Sequence, residues 1–330
     1  MNRVNIAWVE PEKRRLILET MVRNGVGLVR LSLTPPVAAS IDAVRIAHEL
    51  GMAILLEIPL SYAHFYPAGV QKRLGHGRVW DIYPLSMIDP KRVRRVVRRS
   101  LIRLDSLGVS LAAVEPGNEI NWAGYNGDLH VRVTAGAPMS WVTGGLHSRT
   151  AFEAGLTNYV ALVQMIKEEL SAIRRFRRTK LVSAGLAHMP MRFAARMGAE
   201  YVSPNETAAL LRSRGIERFI DAYGTHFYAS ARTEGRLARI NDALRLCLTP
   251  ADGKPCWVTE WGIANPSKAC PLDDRDRTQT MAEIRTLLER RMATRSISAA
   301  FYFDWDKSET YSVWRCGELS EAGKLAVKAR

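Results

Sequence analysis

The stretch LAAVEPGNEINW, at residues 111–122, joins an apolar run to a polar end. Residues 111–114 are apolar and short enough for one strand, and Gly117, Asn118 and Glu119 follow at once. A strand buried in a parallel sheet needs only apolar residues, so burial does not account for the Asn–Glu pair. Taken alone, Glu119 is equally consistent with a solvated carboxylate in a helix or loop.

A second stretch, PCWVTEWG at residues 255–262, repeats the pattern. It is a short apolar strand that ends in Glu260 and continues into Trp261. Two strands that each end in a Glu near a Trp predict paired carboxylates beside aromatic rings. Cleavage of a glycosidic bond needs two carboxyl groups, and indole faces suit the C–H faces of a sugar ring. We therefore expect Glu119 and Glu260 to be catalytic, with Trp122 and Trp261 near the substrate.

Length and composition are those of an ordinary globular chain. The 330 residues are 47% hydrophobic and 24% charged, and no apolar run approaches the roughly 20 residues of a membrane helix. The first fifteen residues lack the apolar core of a secretion signal. No Gly-x-Gly-x-x-Gly follows the first predicted strand and no GK[ST] loop occurs, so we expect no nucleotide cofactor.

The net charge of +14 comes largely from two arginine-rich stretches, at residues 91–103 and 173–180. The first is amphipathic, because its apolar residues fall on one helical face and its arginines on the other. Such a stretch is typical of a solvated outer helix face. The alternative is an anionic partner: an acidic polysaccharide, a lipopolysaccharide surface or a nucleic acid. We expect no nucleic acid, because no nucleic-acid-binding module is recognisable.

Four cysteines lie in the last third of the chain, at Cys247, Cys256, Cys270 and Cys316. They form no CxxC pair and have no His at zinc-ligand spacing, so we expect no metal site. Three disulfide connectivities are possible. The predicted elements allow Cys247 to meet Cys256 and Cys270 to meet Cys316, and free thiols in a reducing cytoplasm are equally consistent.

Eight short apolar runs alternate with amphipathic ones along the chain, which predicts parallel strands joined by helices. Eight such units fit a closed (β/α)8 TIM barrel, an α/β fold, as a single domain over residues 1–330. Long loops follow the third and fourth strands, at residues 60–88 and 121–148, and contain Trp80 and Trp141. The predicted strands are 4–9, 27–33, 52–59, 111–119, 181–187, 219–228, 255–262 and 297–305. The predicted helices are 11–24, 37–50, 89–107, 150–177, 205–214, 234–248, 273–292 and 320–328.

Chemistry in such barrels lies at the carboxyl ends of the strands. Besides Glu119 and Glu260, this places Arg30, His226, Tyr228 and Trp305 at the site.

Three motifs on the fourth, sixth and seventh predicted strands, VEPGNEINW, DAYGTHFY and WVTEWG, resemble those of clan A glycoside hydrolases, with families 5 and 39 closest. The resemblance implies a retaining enzyme with Glu119 as acid/base and Glu260 as nucleophile. It also implies that Asn118 binds the sugar 2-hydroxyl.

The same resemblance gives roles to the remaining strand-end residues. His226 and Tyr228 would shape the site and bind the nucleophile, Arg30 would hold the nucleophile ionised, and Trp305 would be a sugar platform. Three of the candidates have a structural alternative: His226 can be a hydrogen-bonded structural histidine, Arg30 can pair with Glu57, and Trp261 can pack against a neighbouring strand. The other acidic groups near strand ends are either site residues or ordinary structural ones: Glu57, Glu115, Asp304 and Asp306.

The expected function is hydrolysis of β-linked bonds in an oligosaccharide or polysaccharide. The basic surface suggests an anionic glycan with uronic acids, and the two long loops suggest an endo-acting cleft. The alternatives are a transglycosylase on the same scaffold and a non-catalytic glycan-binding barrel. The resemblance favours a periplasmic or extracellular location over a cytoplasmic one. Nothing in the sequence specifies an oligomeric state.

Overall fold

The computed structural model describes residues 1–73, 81–131, 146–196, 198–230 and 235–327. Seven parallel strands form one sheet in sequence order, β1 to β7, and curl into a barrel. This architecture confirms the predicted (β/α)8 fold. The strands are β1 (Leu28–Ser32), β2 (Ala53–Ile58), β3 (Ala113–Pro116), β4 (Lys180–His188), β5 (Ala222–Ser230), β6 (Cys256–Ala264) and β7 (Ile297–Tyr302).

Helices follow the strands around the outside of the barrel. They are α1 (Pro11–Arg23), α2 (Val37–Glu49), α3 (Pro90–Ser106), α4 (Arg149–Ala172), α5 (Met191–Arg196), α6 (Pro204–Ser213), α7 (Arg236–Ala243), α8 (Arg275–Ala293) and α9 (Glu321–Val327). A two-stranded antiparallel ribbon, β8 (Trp314–Arg315) and β9 (Glu318–Leu319), precedes α9.

Residues 1–3 close the barrel between β7 and β1. The Asn2 N–H donates to the carbonyl of Tyr302 at 2.8 Å, and the Arg30 N–H donates to the carbonyl of Met1 at 2.9 Å. The Asn2 amide also donates to the carbonyl of Thr259 at 2.9 Å. These three residues therefore occupy the position of the eighth strand.

The predicted first strand, at residues 4–9, is wrong. Asn5 adopts a left-handed φ of 59° and a 3₁₀ helix, Ile6–Trp8, follows it. A short apolar run shows that a segment is buried but does not separate strand from helix. The predicted strand at 219–228 begins only at Ala222, and the one at 297–305 ends at Tyr302.

Most predicted helices agree with the structure to within a few residues. Asp89 caps α3 by accepting from the Lys91 N–H at 2.9 Å. Ser148, rather than Thr150, caps α4 by accepting from the Ala151 N–H at 3.1 Å. The short helix α5 was not predicted, and Trp80 and Trp141 lie outside the described residues.

The arginine-rich helix α3 packs its apolar face on the barrel, with Val93, Val97, Leu101 and Leu104 buried. The opposite face is exposed to solvent, and only some of its arginines pair with carboxylates. Within the described ranges, no helix combines the length and apolar character that crossing a bilayer requires.

Both anticipated disulfides are formed. Cys247 bonds Cys256, which ties the chain after α7 to the start of β6. Cys270 bonds Cys316, which ties the loop after β6 to the ribbon before α9.

Candidate active site

Glu260 lies in the middle of β6, and its two carboxylate oxygens have different donors. Oε1 accepts from Arg30 Nη1 at 2.6 Å, and Oε2 accepts from the Tyr228 hydroxyl. His226 Nδ1 stands 3.8 Å from Oε2. The β5–β6 pairing places His226 beside Glu260 and Tyr228 beside Gly262, so the sheet itself positions these donors.

Arg30, on β1, is buried and binds several partners at once. Its Nε donates to Glu115 at 2.5 Å, its Nη1 also donates to Asn2 at 3.2 Å, and its Nη2 donates to the Asn118 amide oxygen at 3.0 Å. The predicted alternative, a direct pair with Glu57, is not formed. Arg30 is therefore fixed in place and fixes Asn118 and Glu260 in turn.

These contacts determine the charge of Glu260. Burial raises its pKa, but the charges of His226 and Arg30 and the hydrogen bond from Tyr228 outweigh burial, so the pKa falls below its usual range. Burial and the Glu260 charge raise the pKa of the Tyr228 hydroxyl well above its usual value, which keeps that hydroxyl a donor. Glu260 is therefore an anion at neutral pH.

Glu119 follows β3 and has a left-handed φ of 46°, which is uncommon outside glycine. Its N–H donates to the carbonyl of Gly185 at 2.9 Å, which attaches the turn to β4. Its oxygens contact Trp122 Nε1 at 2.7 Å and His226 Nδ1 at 3.0 Å. Among the residues that the structure describes, the carboxyl group of Glu119 thus has no arginine partner, unlike that of Glu260.

The hydrogen bonds of His226 locate one proton. The Thr259 hydroxyl donates to Glu115 at 2.6 Å, so it accepts from His226 Nε2–H at 2.9 Å. The 3.0 Å contact between His226 Nδ1 and Glu119 then contains a single proton, held by the imidazole or by the carboxyl. Although burial lowers the pKa of His226, the charge of Glu260 and the hydrogen bond with Glu119 raise it overall.

The two carboxylates are close together. One donor atom each of Glu119, His226 and Glu260 lies within 4.8 Å of the others. That donor set resembles a metal site, but its atoms already bond each other, Arg30 and Tyr228.

A cavity of about 450 Å³ opens above this pair, at the carboxyl ends of the strands. Trp8 lines its mouth and is 53% exposed. Arg30, Asn118, Glu119 and Glu260 face the cavity. Its aromatic wall consists of Trp8, Tyr62, Tyr66, Tyr83, Trp122, Tyr125, Tyr228 and Phe303.

Two predicted substrate-binding tryptophans do not line this cavity. Trp261 is buried and packs against Tyr302, as the structural alternative predicts. Trp305 is 1% exposed and stacks on Trp314 at 5.3 Å between ring centroids, because the chain turns after Tyr302. Phe303 lines the cavity instead, so the sugar platform expected from Trp305 is not formed by that residue.

Asp304 and Asp306 are structural groups rather than cavity residues. Asp304 accepts from the Ser312 hydroxyl at 2.6 Å, and Asp306 pairs with Arg3 at 2.5 Å.

Sequence reasoning left the role of Glu115 open and missed Gly185. Glu115 accepts hydrogen bonds from Arg30, which also donates to Glu260, and from Thr259, which accepts from His226. A β-carbon on Gly185 would lie 2.0 Å from His226 Nε2, so only glycine leaves room for this imidazole. The local motifs do not reveal these two roles, because the partners come from other strands. The cavity residues Ser32 and Glu57 belong to the same layer, since Ser32 pairs with Glu57 and Glu57 with Glu115 across the sheet.

Comparison with known proteins gives the family. The sequence profile described as "Glycosyl hydrolase catalytic core" matches residues 157–327, just over half of the chain. The chain belongs to this family. It is a glycoside hydrolase, and its substrate is a carbohydrate.

Solved structures of glycoside hydrolases are similar to this glycoside hydrolase over nearly its whole length. A GH30 endoxylanase from Clostridium papyrosolvens C71 has a TM-score of 0.52 at 9% identity, covering 99% of this chain and 69% of its own. The GH1 β-glucosidase from Exiguobacterium antarcticum B7 has a TM-score of 0.56 at 13% identity, covering 96% and 85%. ZgEngAGH5_4, solved with a cellotriose, has a TM-score of 0.54 at 15% identity, covering 96% and 88%.

At these identities the structures show the fold alone. The family profile confirms the predicted glycoside hydrolase, and the barrel is the fold that these three enzymes share with it. No curated protein sequence matches the chain.

Proposed function

We propose that this glycoside hydrolase cleaves β-linked glycosidic bonds with retention of configuration, with Glu260 as nucleophile and Glu119 as acid/base. The proposal rests on one observation: two neighbouring carboxyl groups have different hydrogen-bond partners. Glu260 is held as an anion by Arg30 and Tyr228, whereas Glu119 shares a proton with His226. Their oxygens lie within 4.8 Å, which suits the roughly 5 Å separation of retaining enzymes.

The first step uses both groups. A Glu260 oxygen attacks the anomeric carbon, the bond to the leaving oxygen breaks with its electron pair, and Glu119 gives that oxygen its proton. The product is a glycosyl ester on Glu260. In the second step Glu119, now a carboxylate, takes a proton from water as the water attacks the same carbon and Glu260 leaves.

Asn118 supports this geometry. Its amide oxygen accepts from Arg30 Nη2 at 3.0 Å, which fixes the orientation of the amide group. Its NH₂ group donates no hydrogen bond within the described part of the chain, and Asn118 lines the cavity. That NH₂ group is therefore available to an oxygen of the bound sugar, as the sequence resemblance implied for the 2-hydroxyl.

Azide rescue tests the two roles separately. With an activated aryl β-glycoside, Glu260→Ala loses hydrolysis, and added azide takes the place of the missing carboxylate to give an α-glycosyl azide. Glu119→Ala still forms the ester on Glu260, which azide then attacks, so its product is a β-glycosyl azide. Proton NMR distinguishes the two products. The exposed Glu12→Ala on α1 is the matched control and keeps wild-type hydrolysis.

Interchanged azide products would reverse the two roles. Undiminished hydrolysis in Glu260→Ala would remove Glu260 from the mechanism.

We further propose that the protein works in an oxidising compartment, the periplasm or the cell exterior. Two disulfides support this, because such bonds persist mainly outside the reducing cytoplasm. Protein from its native source should react with a maleimide only after reduction. Four reactive thiols without reduction would place the protein in the cytoplasm.

A further inference from the structure

The basic surface of the chain lies away from the cavity. The arginine-rich helix α3 covers the outside of the barrel, and none of its residues lines the cavity. The net charge of +14 therefore says nothing about the charge of the sugar that the site accepts. The cavity's own charged groups decide that question.

Glu57, at the end of β2, is an acidic cavity residue that the proposed mechanism does not use. It is 5% exposed and lines the cavity. Its Oε2 accepts from the Ser32 hydroxyl on β1. Its Oε1 accepts no hydrogen bond from any residue within the described ranges. The cavity therefore contains a carboxyl oxygen of a largely buried residue that is free for a ligand.

The positively charged groups around Glu57 either pair with other carboxylates or lie more than 4 Å from it. Arg30 pairs directly with Glu115 at 2.5 Å and with Glu260 at 2.6 Å. Lys307 lines the cavity after β7, and its ammonium group lies 5.6 Å from the centroid of the Trp8 ring at the mouth. No cation of the described chain lies within 4 Å of Glu57, so its charge is not neutralised by direct pairing.

We propose that Glu57 selects a neutral, hydroxyl-rich glycon, the sugar unit that is transferred to Glu260, and rejects a uronic acid at that position. This inference rests on the proposed function. A carboxylate accepts hydrogen bonds from sugar hydroxyls, which are donors, whereas the carboxylate of a uronic acid has no proton to give. It would instead meet a second negative charge in a cavity of low dielectric.

The selection depends on pH because Glu57 titrates near neutrality. Burial raises its pKa to about 7, against the opposing effects of Arg30 and the Ser32 hydrogen bond, while Glu115 and Glu260 raise it further. At pH 5.5 the group is mostly protonated and tolerates an acidic ligand. At pH 8 it is ionised and repels one. The remaining groups that interact electrostatically with Glu57 are Tyr62, which follows β2, and the cavity residues Tyr125 and Lys307.

Paired substrates test the inference. The kcat/KM values are measured for p-nitrophenyl β-glucoside, β-galactoside, β-xyloside and β-mannoside, and for the matching β-glucuronide and β-galacturonide. The proteins are the wild type, Glu57→Gln, which keeps the shape but not the charge, and Glu12→Gln on exposed α1 as control. Each is assayed at pH 5.5 and pH 8. Thermal melts at both pH values check folding; removing a raised-pKa carboxyl should not lower stability at pH 8.

The wild type should prefer its best neutral glycoside over either uronide, and the preference should grow about tenfold or more from pH 5.5 to pH 8. In Glu57→Gln the preference should shrink at pH 8 and lose its pH dependence, while Glu12→Gln behaves as wild type. A wild-type preference for uronides, or a preference that Glu57→Gln leaves unchanged, overturns the inference.

Failure of the proposed function looks different, because no glycoside would then be cleaved. In that case binding of methyl β-glucoside and methyl β-glucuronide, followed by NMR at both pH values, decides the inference. Tighter binding of the neutral sugar that depends on Glu57 supports it, and equal binding overturns it.

Discussion

Burial and the neighbouring side chains shift the pKa of the Glu260 carboxyl group in opposite directions. Burial favours the neutral acid, while Arg30, His226 and Tyr228 favour the anion, and the anion prevails. Within the described part of the chain, the Glu119 carboxyl group has only Trp122 and His226 as partners, and the latter brings a proton. This difference between two neighbouring carboxyl groups is what general acid catalysis beside a nucleophile requires.

The pH dependence of kcat/KM follows from these shifts. In the proposed mechanism Glu260 must be ionised, so activity is lost as the pH falls through its lowered pKa. The His226–Glu119 pair must keep its proton, so activity is lost as the pH rises through the raised pKa of His226. We expect a bell-shaped profile with its acid limb below the usual range of a glutamate. An acid limb above pH 5 would contradict an ionised Glu260 in the free enzyme.

Tyr228→Phe should move that acid limb. The variant removes one donor to the Glu260 carboxylate, and a hydrogen bond to a charged group contributes about 1.5–3 kcal/mol. Since one pKa unit corresponds to about 1.36 kcal/mol, the acid limb should rise by about 1 to 2 pH units. Tyr311→Phe is the control, because Tyr311 packs against Tyr228 at 5.0 Å between ring centroids but does not bond Glu260. Equal profiles for the two variants would refute this role of Tyr228.

Among individual residues, the sequence predicted the positions of those that lie in recognisable motifs. Glu119, Glu260, Asn118, His226 and Tyr228 meet at one site as expected. The sequence placed Glu115 near a strand end but could not decide its role, because its partners Arg30 and Thr259 come from two other strands. Nor could it show that the chain turns before Trp305, since composition does not encode the path of a loop.

Strand β4 contributes Gly185 to the site, where the lack of a side chain leaves room for His226. Gly185 lies against the imidazole of His226, and a β-carbon there would also lie 2.6 Å from the Thr259 hydroxyl. Gly185→Ala should displace the imidazole, lower kcat by about 10- to 100-fold and destabilise the fold by about 1–3 kcal/mol. Activity of the folded fraction and denaturant unfolding measure the two effects.

Gly27→Ala is the matched control, because a β-carbon at Gly27 meets nothing within 4 Å. If Gly185→Ala behaved like Gly27→Ala, the close contact between β4 and His226 would have no functional consequence.

Helices were predicted correctly where the hydrophobic periodicity and the capping residues indicate the same helix. The helix α3 has an Asp cap, a Pro at its start and one apolar face, and it was predicted to within two residues. The apolar stretch at residues 4–9 has no side-chain cap and no hydrophobic periodicity, and its residues Ile6–Trp8 form a 3₁₀ helix. The strand position that it was expected to fill is occupied by residues 1–3, which are too few for a pattern to appear.

The whole molecule is a barrel whose ends are tied by contacts distant in sequence. The disulfide between Cys270 and Cys316 spans 46 residues, and both cysteines are exposed and do not line the cavity. Replacing both with serine should lower the free energy of unfolding by about 4 kcal/mol, from the entropy that the unfolded chain regains. The kcat at 25 °C should be unchanged.

Urea unfolding and steady-state kinetics check both expectations. A loss below about 1 kcal/mol would contradict the constraint ascribed to this disulfide, and a large loss of kcat would show that it also shapes the cavity.

The stereochemistry of the first product tests the central claim most directly. An aryl β-glycoside that the enzyme cleaves is followed by proton NMR, and the anomeric signal of the released sugar is read before mutarotation. The β-anomer should appear first, because two displacements at one carbon restore the starting configuration. Initial release of the α-anomer would mean a single displacement by water and would contradict a covalent role for Glu260.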